Sequence, residues 1–117
     1  MDKNELMNLK NKIQSFFPPW PNNKGKIKKI NTIWGNVIHW EITDEILEIC
    51  EGAPHKLLVF QKIKIIEQEK IEFRIGYYMI GVKKRTKGRW VWGQYCPMVP
   101  SSNLTSLIKK AKDRNWF

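Results

Sequence analysis

Between Lys83 and Tyr95 the chain reads KKRTKGRWVWGQY. Lys83, Lys84, Arg85, Lys87 and Arg89 crowd together and run directly into Trp90, Trp92 and Tyr95. Cations at this density attract a phosphate chain, and flat aromatic faces stack on bases, so the two residue types together point to nucleic-acid binding. Stacking contributes about 1–3 kcal/mol per base and needs the base unpaired, which favours single-stranded RNA or DNA. The competing expectation is structural: Trp90 and Trp92 belong to a core, and the cations protect a hairpin end from edge-to-edge pairing. Total charge separates the two. Lys and Arg number 21 against 11 Asp and Glu, a net +10 that edge protection does not require and a polyanion would exploit.

A second set of candidates comes from alternation. Ile71, Phe73, Ile75, Tyr77 and Met79 alternate with Glu72, Arg74, Gly76 and Tyr78, so a strand here would turn its apolar set to the helices and leave Arg74 and Tyr78 on the outer face. Lys62 and Lys64 likewise share one face of the preceding strand and are grouped with Arg74 and Tyr78 as a cationic sheet face. Which face receives the tryptophans depends on the hairpin register, since a slip of one residue swaps faces. A three-residue turn at Thr86-Lys87-Gly88 pairs Arg85 with Arg89 and sets Trp92 opposite Val82, on the Tyr78 face, whereas a two-residue turn sends Trp92 to the core. The three-residue turn is the expectation.

Catalytic signatures are thinner. His39-Trp40-Glu41 has the H-x-E spacing of zinc-dependent base deaminases, but the P-C-x-x-C that completes such a site is missing: Cys96 precedes Pro97 and no second cysteine follows. His39, Cys50, His55 and Cys96 lack the short paired spacings of a zinc site, so neither metal nor cofactor is expected. A metal-independent ribonuclease, comparable to small toxin-type RNases, needs only acid–base groups and phosphate stabilisers, for which His39, His55, Lys62, Arg74 and Tyr78 are the candidates. A third class is a protein-interaction module, an inhibitor or adaptor whose tryptophans anchor an interface.

The elements that must position these residues follow from length and pattern. A chain of 117 residues has enough for one core, so residues 1–117 are expected to form a single domain. Asp2 and Glu5 form a capping-box pair ahead of Leu6, Leu9, Ile13 and Phe16, predicting a helix over 3–16. Residues 18–31 read as a basic Pro/Asn/Lys connector and 32–42 as a strand with a bend at Gly35. Thr43-Asp44-Glu45 and the stop at Gly52 suggest a short helix over 44–51. Residues 56–98 read as a three-strand meander and 102–114 as a helix with cations near its C-terminal end. The order αβαβββα predicts an α+β fold in which the meander and one earlier strand form an antiparallel sheet packed with terminal helices. The five acids between Glu41 and Glu51 are expected to lie away from a phosphate-binding face.

The charged N-terminus MDKNELMNLKNK does not resemble a secretion signal, no apolar run has membrane-span length, and two distant cysteines suit reduced thiols. A cytoplasmic protein is therefore expected. Abundant Lys and Ile beside scarce Ala suggest an AT-rich source, as in a phage or mobile element.

Overall fold

The fold is given by a computed structural model that describes residues 2–5 and 17–117. Residues 3–5 are helical, and the Glu5 N–H donates to Asp2 Oδ1 at 2.7 Å, as a capping box requires. The remainder of the helix expected over 3–16 lies outside the described residues. Five strands follow: β1 (Ile27–Asn31), β2 (Val37–Cys50), β3 (Ala53–Ile65), β4 (Lys70–Ile80) and β5 (Trp90–Trp92). Helix α1 (Ser101–Asp113) comes last. Each strand pairs antiparallel with the next, giving one sheet of order β1-β2-β3-β4-β5. The domain is thus mixed α+β, with a longer meander than the sequence suggested.

Four expectations need correction. The basic connector over 18–31 contains β1, and Thr32–Asn36, read as the start of a strand, is the turn joining β1 to β2. Gly35 adopts φ +84° in that turn, a conformation L side chains rarely adopt. The short helix over 44–51 is instead the second half of β2. Its acids imitate a helix start, but Asp44, Ile46, Glu48 and Cys50 alternate onto one face and Glu45, Leu47 and Ile49 onto the other. A bulge after Ile42 resets the alternation, with the Thr43 hydroxyl donating to the Lys62 carbonyl at 3.1 Å. Finally, the last meander strand is only Trp90–Trp92; beyond it the chain runs irregularly to α1.

The acids of β2 are there for tertiary reasons. Glu48 accepts from Lys110 Nζ (2.9 Å), the Ser106 hydroxyl (2.7 Å) and Asn103 Nδ2 (2.6 Å), three groups of α1. Asp44 accepts from Trp116 Nε1 at 3.0 Å and from Arg114 at 3.1 Å. Partial burial raises both carboxyl pKa values, but these donors outweigh it and hold Asp44 and Glu48 below the usual carboxylate range. Between these clamps Ile46, Cys50, Leu58, Phe60, Leu107, Ala111 and Trp116 form the helix-side core. Phe73 stacks on Trp116 with centroids 6.0 Å apart, extending the core along β4. On the opposite face Ile42, Ile63 and Ile65 are buried together beneath Ile38 and Trp40. Leu57, Val59 and Gln61, also buried, continue that face along β3.

Candidate nucleic-acid interface

Register builds the site on the face away from α1. Glu45 lies opposite Gln61, Gln61 opposite Arg74, and Tyr78 opposite Trp92, so residues from four strands converge. Asn23, in the segment ahead of β1, closes the group: its N–H donates to Glu45 Oε2 at 2.6 Å and its Nδ2 to the Tyr78 hydroxyl at 2.8 Å. Gln61 Nε2 donates to Glu45 Oε1 at 3.0 Å, while Gln61 Oε1 accepts from Arg74 Nε (3.0 Å) and Nη2 (2.7 Å). Asn23, Glu45 and Gln61 are buried, where an unpaired polar group would cost several kcal/mol; the network satisfies them mutually.

Arg74 is anchored through a neutral amide, with no carboxylate among the described residues in contact with it. Its guanidinium lies 4.7 Å from the Trp92 ring centroid and 5.4 Å from that of Trp40, a cation held between two indoles. Trp92 meets Tyr78 edge to face at 5.1 Å and is 36% exposed, so part of its ring is open to solvent. Gly76 makes this possible. A Cβ there would run into the Trp92 ring, so only glycine lets the indole lie across β4.

Lys28, opposite Trp40 on β1, brings a second charge to the same place. Its pKa is lowered first by partial burial, then by the Arg74 guanidinium and by Lys26. Arg74 is likewise lowered by burial, against the opposing pull of Tyr78 and Glu45. The Tyr78 hydroxyl is pushed up by burial, with Glu45 adding to the shift and Asn23 and Arg74 opposing it. Burial is the first cause in all three, and at Lys28 the neighbouring cations Arg74 and Lys26 add to it, a repulsion that a nearby anion would offset. Trp40 Nε1 adds an unused donor: it is buried and has no acceptor among the described residues.

Of the residues proposed from sequence, the fold brings Arg74, Tyr78 and Trp92 together. Trp92 faces Tyr78 and not Val82, four positions from the expected pairing, so the face is as expected and the turn is not. The excess chain bows outward as a loop over 82–88, closed by the Gly81 N–H to the Arg89 carbonyl (2.8 Å) and Gly88 N–H to the Gly81 carbonyl (3.1 Å). Lys83, Lys84, Arg85, Lys87 and Arg89 are all exposed on or beside this loop. Trp90 acts as a structural tether. Its Nε1 donates to the Pro18 carbonyl at 3.0 Å and its ring packs on Phe17, pinning the segment that leads to Asn23.

Lys62 and Lys64 must be removed from the group. They lie opposite Phe73 and Ile71, on the helix side, because the connection over 66–69 sets Gln61 and not Lys62 against Arg74. The acidic segment also divides: Glu41, Asp44 and Glu48 do face away from Arg74, but Glu45 sits beneath it. His39 lies opposite Lys29 on the helix side, where its N–H donates to Glu67 Oε2 at 2.8 Å and its ring contacts Glu67 Oε1. His55 is exposed at the start of β3, six positions from Gln61, about 20 Å along the strand. The histidines are therefore not assembled with Arg74 and Tyr78 into an acid–base set. Among the described residues no cluster of three or more His, Cys, Asp or Glu is placed to hold a metal ion, and no helix is long and apolar enough to cross a membrane.

Sequence reasoning missed Asn23, Lys26, Lys28, Trp40, Glu45 and Gln61. One signal was present: Gln61 is the lone polar residue in the series Leu57, Val59, Gln61, Ile63, Ile65, all on one strand face. A buried amide in such a series implies a polar partner on a neighbouring strand. Comparisons of the chain with protein-family models, curated proteins and solved structures find no match.

Proposed function

We propose that this protein binds nucleic acid, taking single-stranded segments across the face that carries Arg74. The observation that carries the reading is the Arg74 guanidinium, held between Trp40 and Trp92 without a carboxylate partner among the described residues. A phosphate beside Arg74 and Lys28 would supply the missing negative charge, and the open part of Trp92 offers a base a surface to stack on. The rigid network beneath matters as much as the charges, because a fork of donors fixed in advance loses little entropy on binding. The loop over 82–88 supplies a second, solvated set of cations that attracts the backbone without reading bases. The net charge of the whole chain, +10, acts in the same direction.

Titrating fluorescently labelled single-stranded RNA and DNA while following anisotropy, with and without EDTA, tests this. Binding that weakens steeply with salt and leaves the strands intact is the expected result, with log K falling by about 0.7 per phosphate contacted for each decade of salt. Absence of binding, or affinity indifferent to salt, would reject the reading. Cleavage of the RNA in EDTA would replace it with the ribonuclease alternative.

A further inference from the structure

Strand β2 outruns β3. Its last partner there is Ile65, opposite Trp40, so residues 37–39 pair only with β1 and the two strands continue beyond the sheet as a two-stranded ribbon. The ribbon ends in a built turn: the Thr32 N–H donates to the Asn36 carbonyl at 2.9 Å, the Gly35 N–H to the Thr32 carbonyl at 3.1 Å, and the Thr32 hydroxyl contacts Asn36 Oδ1. Yet this ordered tip carries Ile33 at 92% exposure and Trp34 at 86%. The ribbon is held at its base, where His39 meets Glu67 and Ile38 packs on the Ile42 cluster, and nothing in that packing requires a tryptophan at the end.

The surroundings indicate what covers it. Lys24, Lys26, Lys28 and Lys29 lead up to the turn and are exposed. Lys28 projects on the Arg74 face and Lys29 on the opposite one, beside His39. The ribbon therefore runs from the Arg74–Trp40 group toward Trp34, about 13 Å of extended strand from Lys28 to Thr32 with the turn beyond, carrying Lys28 at its base and aromatics at both ends. We infer that the tip is a base-stacking finger: Trp34, backed by Ile33, stacks on an unpaired base of the same strand whose phosphates lie along Lys28 and Arg74. The inference rests on the nucleic-acid reading proposed above and extends its site from one aromatic platform to two.

The test uses the full chain and a single-stranded oligonucleotide in which one base is replaced by 2-aminopurine, whose fluorescence reports stacking, with anisotropy measured in the same titration. Trp34→Ala changes an exposed turn residue, so circular dichroism should be unchanged. Affinity is expected to fall roughly 5- to 150-fold, the range for loss of one stacked base, and the 2-aminopurine signal change seen with the unaltered protein should shrink. Trp34→Phe, which keeps a flat ring, should recover most of both. Oligonucleotide binding that Trp34→Ala leaves unchanged would overturn the finger while leaving the Arg74 reading intact. If the unaltered protein binds no oligonucleotide, both readings fail.

Discussion

The two faces of the sheet handle charge in opposite ways. On the helix side two β2 acids meet cations: Glu48 takes Lys110, and Asp44 takes Arg114. These contacts dock α1, and the apolar residues between them close a core. On the other face, Arg74 leans on a neutral glutamine between two indoles, Lys28 stands beside it, and Glu45 is occupied by Asn23 and Gln61. A protein selected only for stability would pair its half-buried cations on both faces, since a charge removed from water without a partner is costly. The difference separates a face whose charges are paired to hold the chain together from one that, on the reading proposed above, receives an anion.

The largest expected effect lies on the helix side. Trp116 is buried against Phe60 and Phe73 and donates to Asp44, so Trp116→Ala removes both a large apolar contact and a hydrogen bond. It should lower stability by about 3–5 kcal/mol, a large part of what a domain of this size possesses, as read by urea denaturation. A loss under about 1 kcal/mol would mean that the helix-side core is not what holds the fold.

Next comes Gly76→Ala, on the opposite face, where the new methyl group must push the Trp92 ring aside. Overpacking of this kind costs about 1–3 kcal/mol, and displacing Trp92 should also weaken single-strand binding. Adding Trp92→Ala should remove the overpacking, leaving Gly76→Ala/Trp92→Ala as stable as Trp92→Ala alone, without restoring affinity. If affinity returned once the overpacking was removed, Trp92 would not be a contact surface.

The smallest effect distinguishes the faces by pH. Asp44 and Glu48 have folded-state pKa values below their unfolded ones, so the unfolded chain binds more protons as acid is added. Their contribution is fully present above the ordinary carboxylate range, near about pH 4, and is lost as pH falls through the lowered folded values. Unfolding free energy should therefore decline on acidification below about pH 4, and Glu48→Gln should flatten that decline while lowering stability at neutral pH. An unchanged pH profile in Glu48→Gln would show that the Glu48–Lys110 contact does not contribute to docking α1.

The same contrast explains what was legible in the sequence. Alternation in β4 separates Arg74 and Tyr78 from Phe73 and Ile75 without knowledge of the fold, because a strand's period is local. The placing of Trp92 on the Tyr78 face, though not opposite Tyr78 itself, also followed, since its face depends only on the parity of the hairpin pairing, and a four-residue slip preserves parity. Lys62 and Lys64 were misplaced for the complementary reason: their face relative to Arg74 depends on the β3–β4 register, set by the short turn Ile66–Gln68 and the left-handed Glu69. The β2 acids were read as a helix start because an acid at a helix N-terminus and an acid awaiting a lysine from a distant helix look alike in one dimension. Asp44 and Arg114 are seventy positions apart. Glu45 and Gln61 are harder to place, because each is the one polar residue on its strand's buried face and the network that satisfies them exists only once three strands are brought together.

The central claim is tested most directly by one pair of variants that removes a cation from each face. Affinity for a labelled single-stranded oligonucleotide should be measured by anisotropy at fixed salt for Arg74→Gln and Arg114→Gln, each first shown to be folded by circular dichroism. A guanidinium that donates to phosphate contributes about 1.5–3 kcal/mol, so Arg74→Gln should bind roughly ten- to a hundredfold more weakly. Arg114, already engaged by Asp44, should cost at most about twofold through the loss of one distant charge. Equal losses in the two variants, or a larger loss at Arg114, would contradict the assignment of the Arg74 face as the binding surface.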